Sequence, residues 1–258
     1  FSRQKKLSEQ LKIYFLNKLY DLIKKNKNLF VLNLDNSFSK VGYNNCFSSR
    51  NFYLMNSRLS EFGLNVLVIE LSSLMQRLVK TNSKVLIVDC DNTLWGGVIA
   101  EDGIKKIQIG QDGIGRAFRD FQKAIKNLKN SGILIALASK NEKKDVLDVI
   151  KNHKSMILKD DDVTSYKINW KEKTQNIIEL SEELMLGLDS FVFWDDNPVE
   201  REKVKKNLKK VNVIEPHQDV SEWPKQISEY IGFLKFTNTK EDYLKTSQYK
   251  KRDKFLLS

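Results

Sequence analysis

Two aspartates one residue apart, Asp89 and Asp91, follow a run of four apolar residues, Val85, Leu86, Ile87 and Val88, and precede Thr93 and the glycine pair Gly96 and Gly97. The apolar run predicts a buried strand that delivers both carboxylates to its C-terminal edge. In open α/β sheets the ligand crevice lies outside the carboxyl ends of the strands, so acids placed there face substrate rather than core. Side chains alternate along an extended segment, which turns Asp89 and Asp91 to one side and Cys90 to the other. Carboxylates this close repel, and a divalent cation relieves the repulsion, keeping one ionised as a nucleophile and leaving the other free to exchange protons. Magnesium is the expected ion, since it takes hard oxygen ligands and accepts waters and phosphate in its shell. The plainer alternative is an aspartate pair that caps a turn.

Three later positions invite the same chemistry. A second apolar run, 133–138, ends at Ser139, Lys140 and Asn141. A hydroxyl there donates to a phosphoryl oxygen with help from nearby helix amides, or caps the following helix. Lys173 falls in the first turn of a predicted helix, where a cation opposes the helix dipole unless an anion is present. A third run, 191–194, delivers the adjacent acids Asp195 and Asp196, a poor structural choice without a cation beside them, and Pro198 then suits a first helical turn.

The pattern of Asp89, Asp91 and Thr93 after an apolar strand is similar to the first motif of the haloacid dehalogenase-like (HAD) superfamily, and the longer string DCDNTLWGGV resembles its FkbH-like branch, in subfamily IIIC. Ser139 matches the second motif, Lys173 in NWKEKTQNI the third, and DDNPVERE the fourth. The resemblance implies a three-layer α/β/α Rossmannoid fold with a central parallel sheet and a β-hairpin flap. It implies Mg2+ held by Asp89, Asp91, Asp196 and Asp195, with Asp195 bound directly or one shell out. Asp89 is then the nucleophile that becomes an aspartyl phosphate, Asp91 the acid and base, and Ser139 and Lys173 the groups that hold the transferring phosphoryl. Thr93, Trp95 and Asn141 complete a substrate-binding set, Trp95 either shaping the entrance or packing in the core. Members of the branch take a glyceryl unit from 1,3-bisphosphoglycerate, a phosphorylated three-carbon substrate, and load it on an acyl carrier protein, with an enzyme thiol as a possible relay. Only Cys46 and Cys90 could supply that thiol. Alternation turns Cys90 to the core, and Cys46 is the more accessible in principle. A plain phosphatase and a non-catalytic module of a larger synthase are the competing readings, and the intact residue set argues against the module.

The elements around these residues follow from periodicity. Apolar spacing predicts helices over 7–24, 64–79, 115–130 and 221–231, and further strands over 30–34, 156–158 and 211–214. Residues 35–45 read as a loop, 80–83 as a linker, 98–100 and 104–109 as the arms of the hairpin flap, and 168–170 as the opening of a helix. A catalytic domain over 51–236 is expected between a remnant of an N-terminal domain or linker at 1–50 and a basic extension at 237–258. The gaps from Thr93 to the next helix and from Ser139 to Lys173 are too short for a large cap, so an open cleft is expected. At 258 residues and net charge +11 the chain asks for an acidic partner, yet its lysines are dispersed, which argues against nucleic acid. No stretch spans a bilayer, and two distant cysteines fit a reducing, cytoplasmic setting.

Overall fold

The computed structural model describes residues 3–26, 29–79, 83–234 and 240–256. The chain divides into two compact units, Phe1–Leu78 and Val79–Ser258, a boundary later than the expected one at residue 50. The linker residues 80–82 and the first part of the expected basic extension, 237–239, lie outside the described residues.

The first unit is helical: α1 (Arg3–Lys25), α2 (Leu34–Val41), α3 (Ser49–Met55) and α4 (Glu61–Val79). The expected strand over 30–34 does not form. Asn33 instead caps α2 by accepting from the Asn36 amide at 3.3 Å, and the helix takes up most of the expected loop. Local capping outweighs the β preference of a short apolar run that has no neighbouring strand to pair with.

In the second unit, β1 (Val85–Val88) is followed by a short helix α5 (Ile99–Asp102) and by α6 (Gly113–Asn130), β2 (Leu134–Ser139) and α7 (Lys143–Asn152). Then come β3 (Ser165–Ile168), α8 (Lys173–Leu184), β4 (Phe191–Trp194), α9 (Pro198–Asn207), β5 (Asn212–Val213), α10 (Trp223–Ser228) and α11 (Lys240–Leu256). The five strands form one all-parallel sheet in the order β3-β2-β1-β4-β5. Every residue of β1, β2 and β4 is buried, because helices cover both faces, and this is why these strands read as continuous apolar runs. Leu86, Val88, Ile135, Leu137, Val192 and Trp194 pack on one face with residues of α6, α7 and α10. Val85, Ile87, Leu134, Ala136, Phe191 and Phe193 pack on the other with residues of α8 and α9. The strand order grows outward from β1 in one direction through β2 and β3, then in the other through β4 and β5. That reversal opens a crevice at the carboxyl ends of the central strands, between β1 and its neighbours.

Three local expectations change. The hairpin flap is closed by an antiparallel pair, Gly96 with Gln108, bonded in both directions at 3.0 and 2.7 Å, but its tip is the helical turn α5 rather than two strands. Asp102 accepts the Val98 amide at 2.9 Å, and Gly103, at φ 69°, closes the turn on the Ile99 carbonyl, so the turn signal serves as a helix end. Met156 and Leu158 are buried, but 156–158 is not a strand. The buried side chain of Gln122 takes the place of a strand partner, its Oε1 accepting the Ile157 and Leu158 amides (2.8 and 3.1 Å) while its Nε2 donates to the Leu94 carbonyl (2.7 Å). The helix expected from 168–170 begins at Lys173, because β3 continues through Ile168. No domain is inserted: α5 and α6 account for the chain from β1 to β2, and α7 and β3 for the chain from Ser139 to α8. Among the described residues no helix is long and apolar enough to cross a membrane.

Gln122→Leu leaves a buried amide, a half-buried amide and one carbonyl without this partner, the buried ones each worth about 1–3 kcal/mol. Chemical denaturation of this variant is expected to show a loss of at least about 2 kcal/mol, and a loss below 0.5 kcal/mol, on the order of a neutral surface change, would remove Gln122 from this role.

Candidate active site

The chain leaves β1 at Asp89, whose amide still donates to the Trp194 carbonyl of β4 at 3.1 Å. Asp195 and Asp196 leave β4 at the same edge, and one carboxylate oxygen each from Asp89, Asp195 and Asp196 lie within 4.8 Å of one another. Lys173, in the first turn of α8, reaches under them with Nζ 2.7 Å from Asp89 Oδ1 and 2.5 Å from Asp195 Oδ2. All of these line a cleft of about 200 Å3 together with Asp91, Asn92, Ser139, Lys140, Asn141, Asn197 and Glu200.

Three carboxylates around one ammonium leave the site short of positive charge. Burial, and then the charge of Asp89, push the Asp195 carboxyl up to about 6 against the opposing pull of Lys173. The same two causes raise Asp196, with the Thr93 hydroxyl opposing. Burial by itself lowers a lysine, but here Asp89 and Asp195 outweigh it and hold Lys173 above its ordinary range. Asp89 Oδ1 is buried and, despite the nearby ammonium, has no hydrogen bond of good geometry. A hard divalent cation fits this donor set: it supplies the missing charge and takes oxygen ligands from three converging carboxylates.

Asp91, expected among the ligands, is not one of the converging three. Its Oδ1 accepts from the Trp95 indole N–H (3.0 Å) and the Ile99 amide (3.1 Å), and its Oδ2 from the Asn141 side chain (2.9 Å). The alternation argument covers only extended backbone, and β1 ends one residue before Asp89. Asn92, at φ 52°, turns the chain there and accepts the Gly97 amide at 2.8 Å.

The residues expected to bind substrate also bond within the protein. Thr93 is fully buried and donates to Asp196 Oδ1 at 3.1 Å. Trp95 is fully buried too, so it holds Asp91 rather than shaping an entrance. Asn141 bridges Asp91 and Ser139, donating to Ser139 Oγ at 3.1 Å. Ser139 lies at the tip of β2 within the cleft, where the second-motif resemblance places a phosphoryl contact. Neither candidate cysteine is exposed. Cys90 is buried and its thiol is raised chiefly by that burial, while Cys46, expected to be more accessible, is also fully buried, with Sγ 3.7 Å from the Gly42 carbonyl. A short 3-10 turn, Tyr43–Cys46, folds the sulfur inward.

Two charged positions escaped the sequence reading. Arg201 Nη1 donates to the carbonyls of both Asp195 (2.8 Å) and Asp196 (2.6 Å), pinning the loop that carries them. Lys140 pairs with Glu200 at 3.0 Å and Glu172 at 3.4 Å, joining the ends of β2, α8 and α9. A lone charge on a helix carries no sequence signal that separates such a clamp from a solvated surface.

Comparison with solved structures gives the crystal structure of the N-terminal part of the protein BF1531 from Bacteroides fragilis, containing a phosphatase domain complexed with Mg, at a TM-score of 0.74 and 34% identity over 84% of this chain. The chain shares its fold with that phosphatase-containing structure. It spans 58% of the length of that solved chain. No family model and no curated protein matches. The fold implied by the resemblance to the haloacid dehalogenase-like superfamily is thus seen in a solved neighbour.

Protons and a divalent cation compete for the same oxygens, and Asp195 and Asp196 hold protons at higher pH than ordinary carboxyls. Calorimetric titration with Mg2+ is therefore expected to show affinity rising as pH increases from 5 to 7, through the value near 6 for Asp195. An affinity flat across that range would separate the three carboxylates from the ion. Thiol titration with an aromatic disulfide is expected to label neither cysteine in the native protein and both after denaturation, since both are buried. Rapid native labelling of Cys46 would revive it as a nucleophile.

Proposed function

We propose that this chain is a magnesium-dependent phosphatase that works through an aspartyl phosphate on Asp89. The observation that carries the reading is the convergence of Asp89, Asp195 and Asp196 on one small cleft with Lys173 beneath them. The Mg-bound phosphatase-containing neighbour supports it.

Asp89, Asp195 and Asp196 would hold the ion. Magnesium, when bound, neutralises charge on the phosphoryl oxygens as a Lewis acid. The Asp89 carboxylate attacks phosphorus, an Asp89 O–P bond forms, and the bond from phosphorus to the alcohol oxygen breaks. Asp91 gives the departing oxygen its proton; once the alcohol has left, the same group takes a proton from the water that attacks the aspartyl phosphate. Trp95, the Ile99 amide and Asn141 hold that carboxyl in place. Ser139 donates to a non-bridging oxygen, and Lys173 keeps Asp89 oriented and balances the incoming charge. Arg201 and Thr93 hold Asp195 and Asp196 where the ion requires them.

The finer reading is glyceryl loading from 1,3-bisphosphoglycerate onto an acyl carrier protein, supported by the FkbH-like resemblance of DCDNTLWGGV. 1,3-Bisphosphoglycerate carries an acyl phosphate and a phosphate ester: attack of Asp89 on the acyl phosphorus would release a free carboxylate and end the activation that thioester formation needs, whereas attack on the ester phosphorus would leave the acyl phosphate in place for a thiol. Loading therefore requires the carrier thiol to attack the acyl carbon directly, since Cys46 and Cys90 are both buried.

Asp89→Asn is expected to lower phosphate release from a phosphate ester with Mg2+ by at least about a thousandfold, as removal of a nucleophile does. Acid quenching of the wild-type reaction should trap one added phosphate in intact-mass spectra. Near wild-type turnover by folded Asp89→Asn would sink the aspartyl phosphate. Incubation with 1,3-bisphosphoglycerate and a phosphopantetheinylated carrier should release phosphate without adding a glyceryl mass to the carrier; appearance of that mass would favour the loading reading.

A further inference from the structure

A shallow groove of about 560 Å3 runs along the outer face of α9, lined by Pro198, Val199, Glu202, Lys203, Lys206 and Asn207. It flanks the same helix start as the active-site cleft: Asn197 and Glu200 line the cleft, Pro198 and Val199 the groove. Val199, Glu202, Lys203 and Lys206 stand at helical spacing and so share one side of α9. The cleft itself, at about 200 Å3, equals roughly seven waters and takes a phosphoryl group and little more. No inserted domain covers it. The remainder of a larger phosphate ester therefore lies outside the cleft, over a neighbouring surface.

The chemistry of the groove selects what can lie there. Pro198 and Val199, at the cleft end, are exposed apolar residues. Lys203 is held by Glu172 at 3.0 Å and lies 3.7 Å from Glu200, whereas Lys206, three residues on, is exposed and pairs with no described residue. Glu202, the acid among the lining residues, is answered by Lys205 at 2.9 Å. Asn207 offers both a donor and an acceptor, which suits a peptide unit. No aromatic ring lines the groove for a base to stack on, and two ammonium groups along it do not suit an alkyl chain. From Pro198 to Lys206 the helix rises about 12 Å, which an extended peptide covers in about four residues. We propose that this groove docks an acidic segment of a phosphorylated protein, with the phosphorylated residue in the cleft and an acidic side chain about four residues away on Lys206. The inference rests on the phosphatase reading above and gives it a substrate class. No bond is made or broken at Lys206, and its part is docking alone.

The test measures kcat/KM, with Mg2+, on three phosphoserine peptides that differ only about three to five places to either side of the phosphoserine, where they carry aspartate, asparagine or lysine. The wild type is expected to prefer the aspartate peptide to the asparagine peptide by about threefold or more, the scale of one or two exposed ion pairs, and the preference should shrink at high salt. Lys206→Glu should abolish that preference and favour the lysine peptide. Lys154→Glu makes the same change of net charge at an exposed site beyond the far end of α7, the helix that starts just after Asn141, and should keep the preference. Equal loss in the two variants would mean that the net charge of +11 attracts acidic peptides without any groove, which overturns the proposal. A preference retained in Lys206→Glu overturns it as well. Better turnover of dodecyl phosphate than of the aspartate peptide would give the groove to a lipid chain, with the same result. Turnover of p-nitrophenyl phosphate with the peptides left uncleaved, or cleaved equally, overturns the docking surface alone. Turnover of none of these esters overturns the phosphatase reading and this inference with it.

Discussion

The buried ammonium of Lys173 between Asp89 and Asp195 is the interaction on which the rest of the site depends. Desolvated carboxylates at 2.5–2.7 Å from one lysine would be costly if the pairing were broken, because an uncompensated buried charge loses its hydration and gains nothing in return. The lysine comes from α8, Asp89 from the end of β1 and Asp195 from the end of β4, so the ion cluster joins three connections of the sheet. Register along the parallel ladder sets their spacing: Val88 of β1 lies beside Trp194 of β4, and the acids follow each strand by one residue.

Around that centre the structure uses short polar contacts to keep carboxylates apart in role. Asp195 is fully buried and committed to Lys173 and the Asn197 amide, while Asp196 is less buried and held by Thr93. Asp91 is turned away to the indole of Trp95, the Ile99 amide and Asn141. Three carboxylates thus face one small space and a fourth stands beside them with different donors. Such a division is what separate nucleophilic, metal-binding and proton-transfer duties require. The aromatic packing of Trp194, Phe121 and Trp223 under the sheet edge gives this arrangement a rigid floor, with ring centroids 4.9–5.7 Å apart.

A second charged group, Lys140 with Glu172, Glu200 and Lys203, lies at the outer side of the same cleft. Its members come from the ends of β2, α8 and α9, elements that also carry Ser139, Lys173 and the loop of Asp195. Partly exposed pairs of this kind contribute little to stability one by one. Their value here is geometric, since they hold the mouth of the cleft in register with its floor.

The central strands β1, β2 and β4 were legible in the sequence because a parallel strand covered on both faces must be apolar throughout, and the acids that follow such strands stand out by contrast. The same contrast made Asp89, Asp195 and Asp196 visible, whereas Ser139 and Lys173, which line the same cleft, were singled out by motif order alone. What each side chain touches was decided by tertiary structure alone. Trp95 and Thr93 are held under the acids, Cys46 is folded inward, and Gln122 substitutes for a strand at 156–158. Two of these contacts are far from local: Gln122 bonds across 35 residues and Thr93 across 103. The hairpin tip and the segment 30–34 went the other way, toward helix, because an aspartate and an asparagine capped the local backbone before any partner strand could pair with it. Periodicity determines which face of an element is buried; which polar partner waits on that face depends on residues that only the folded sheet brings near.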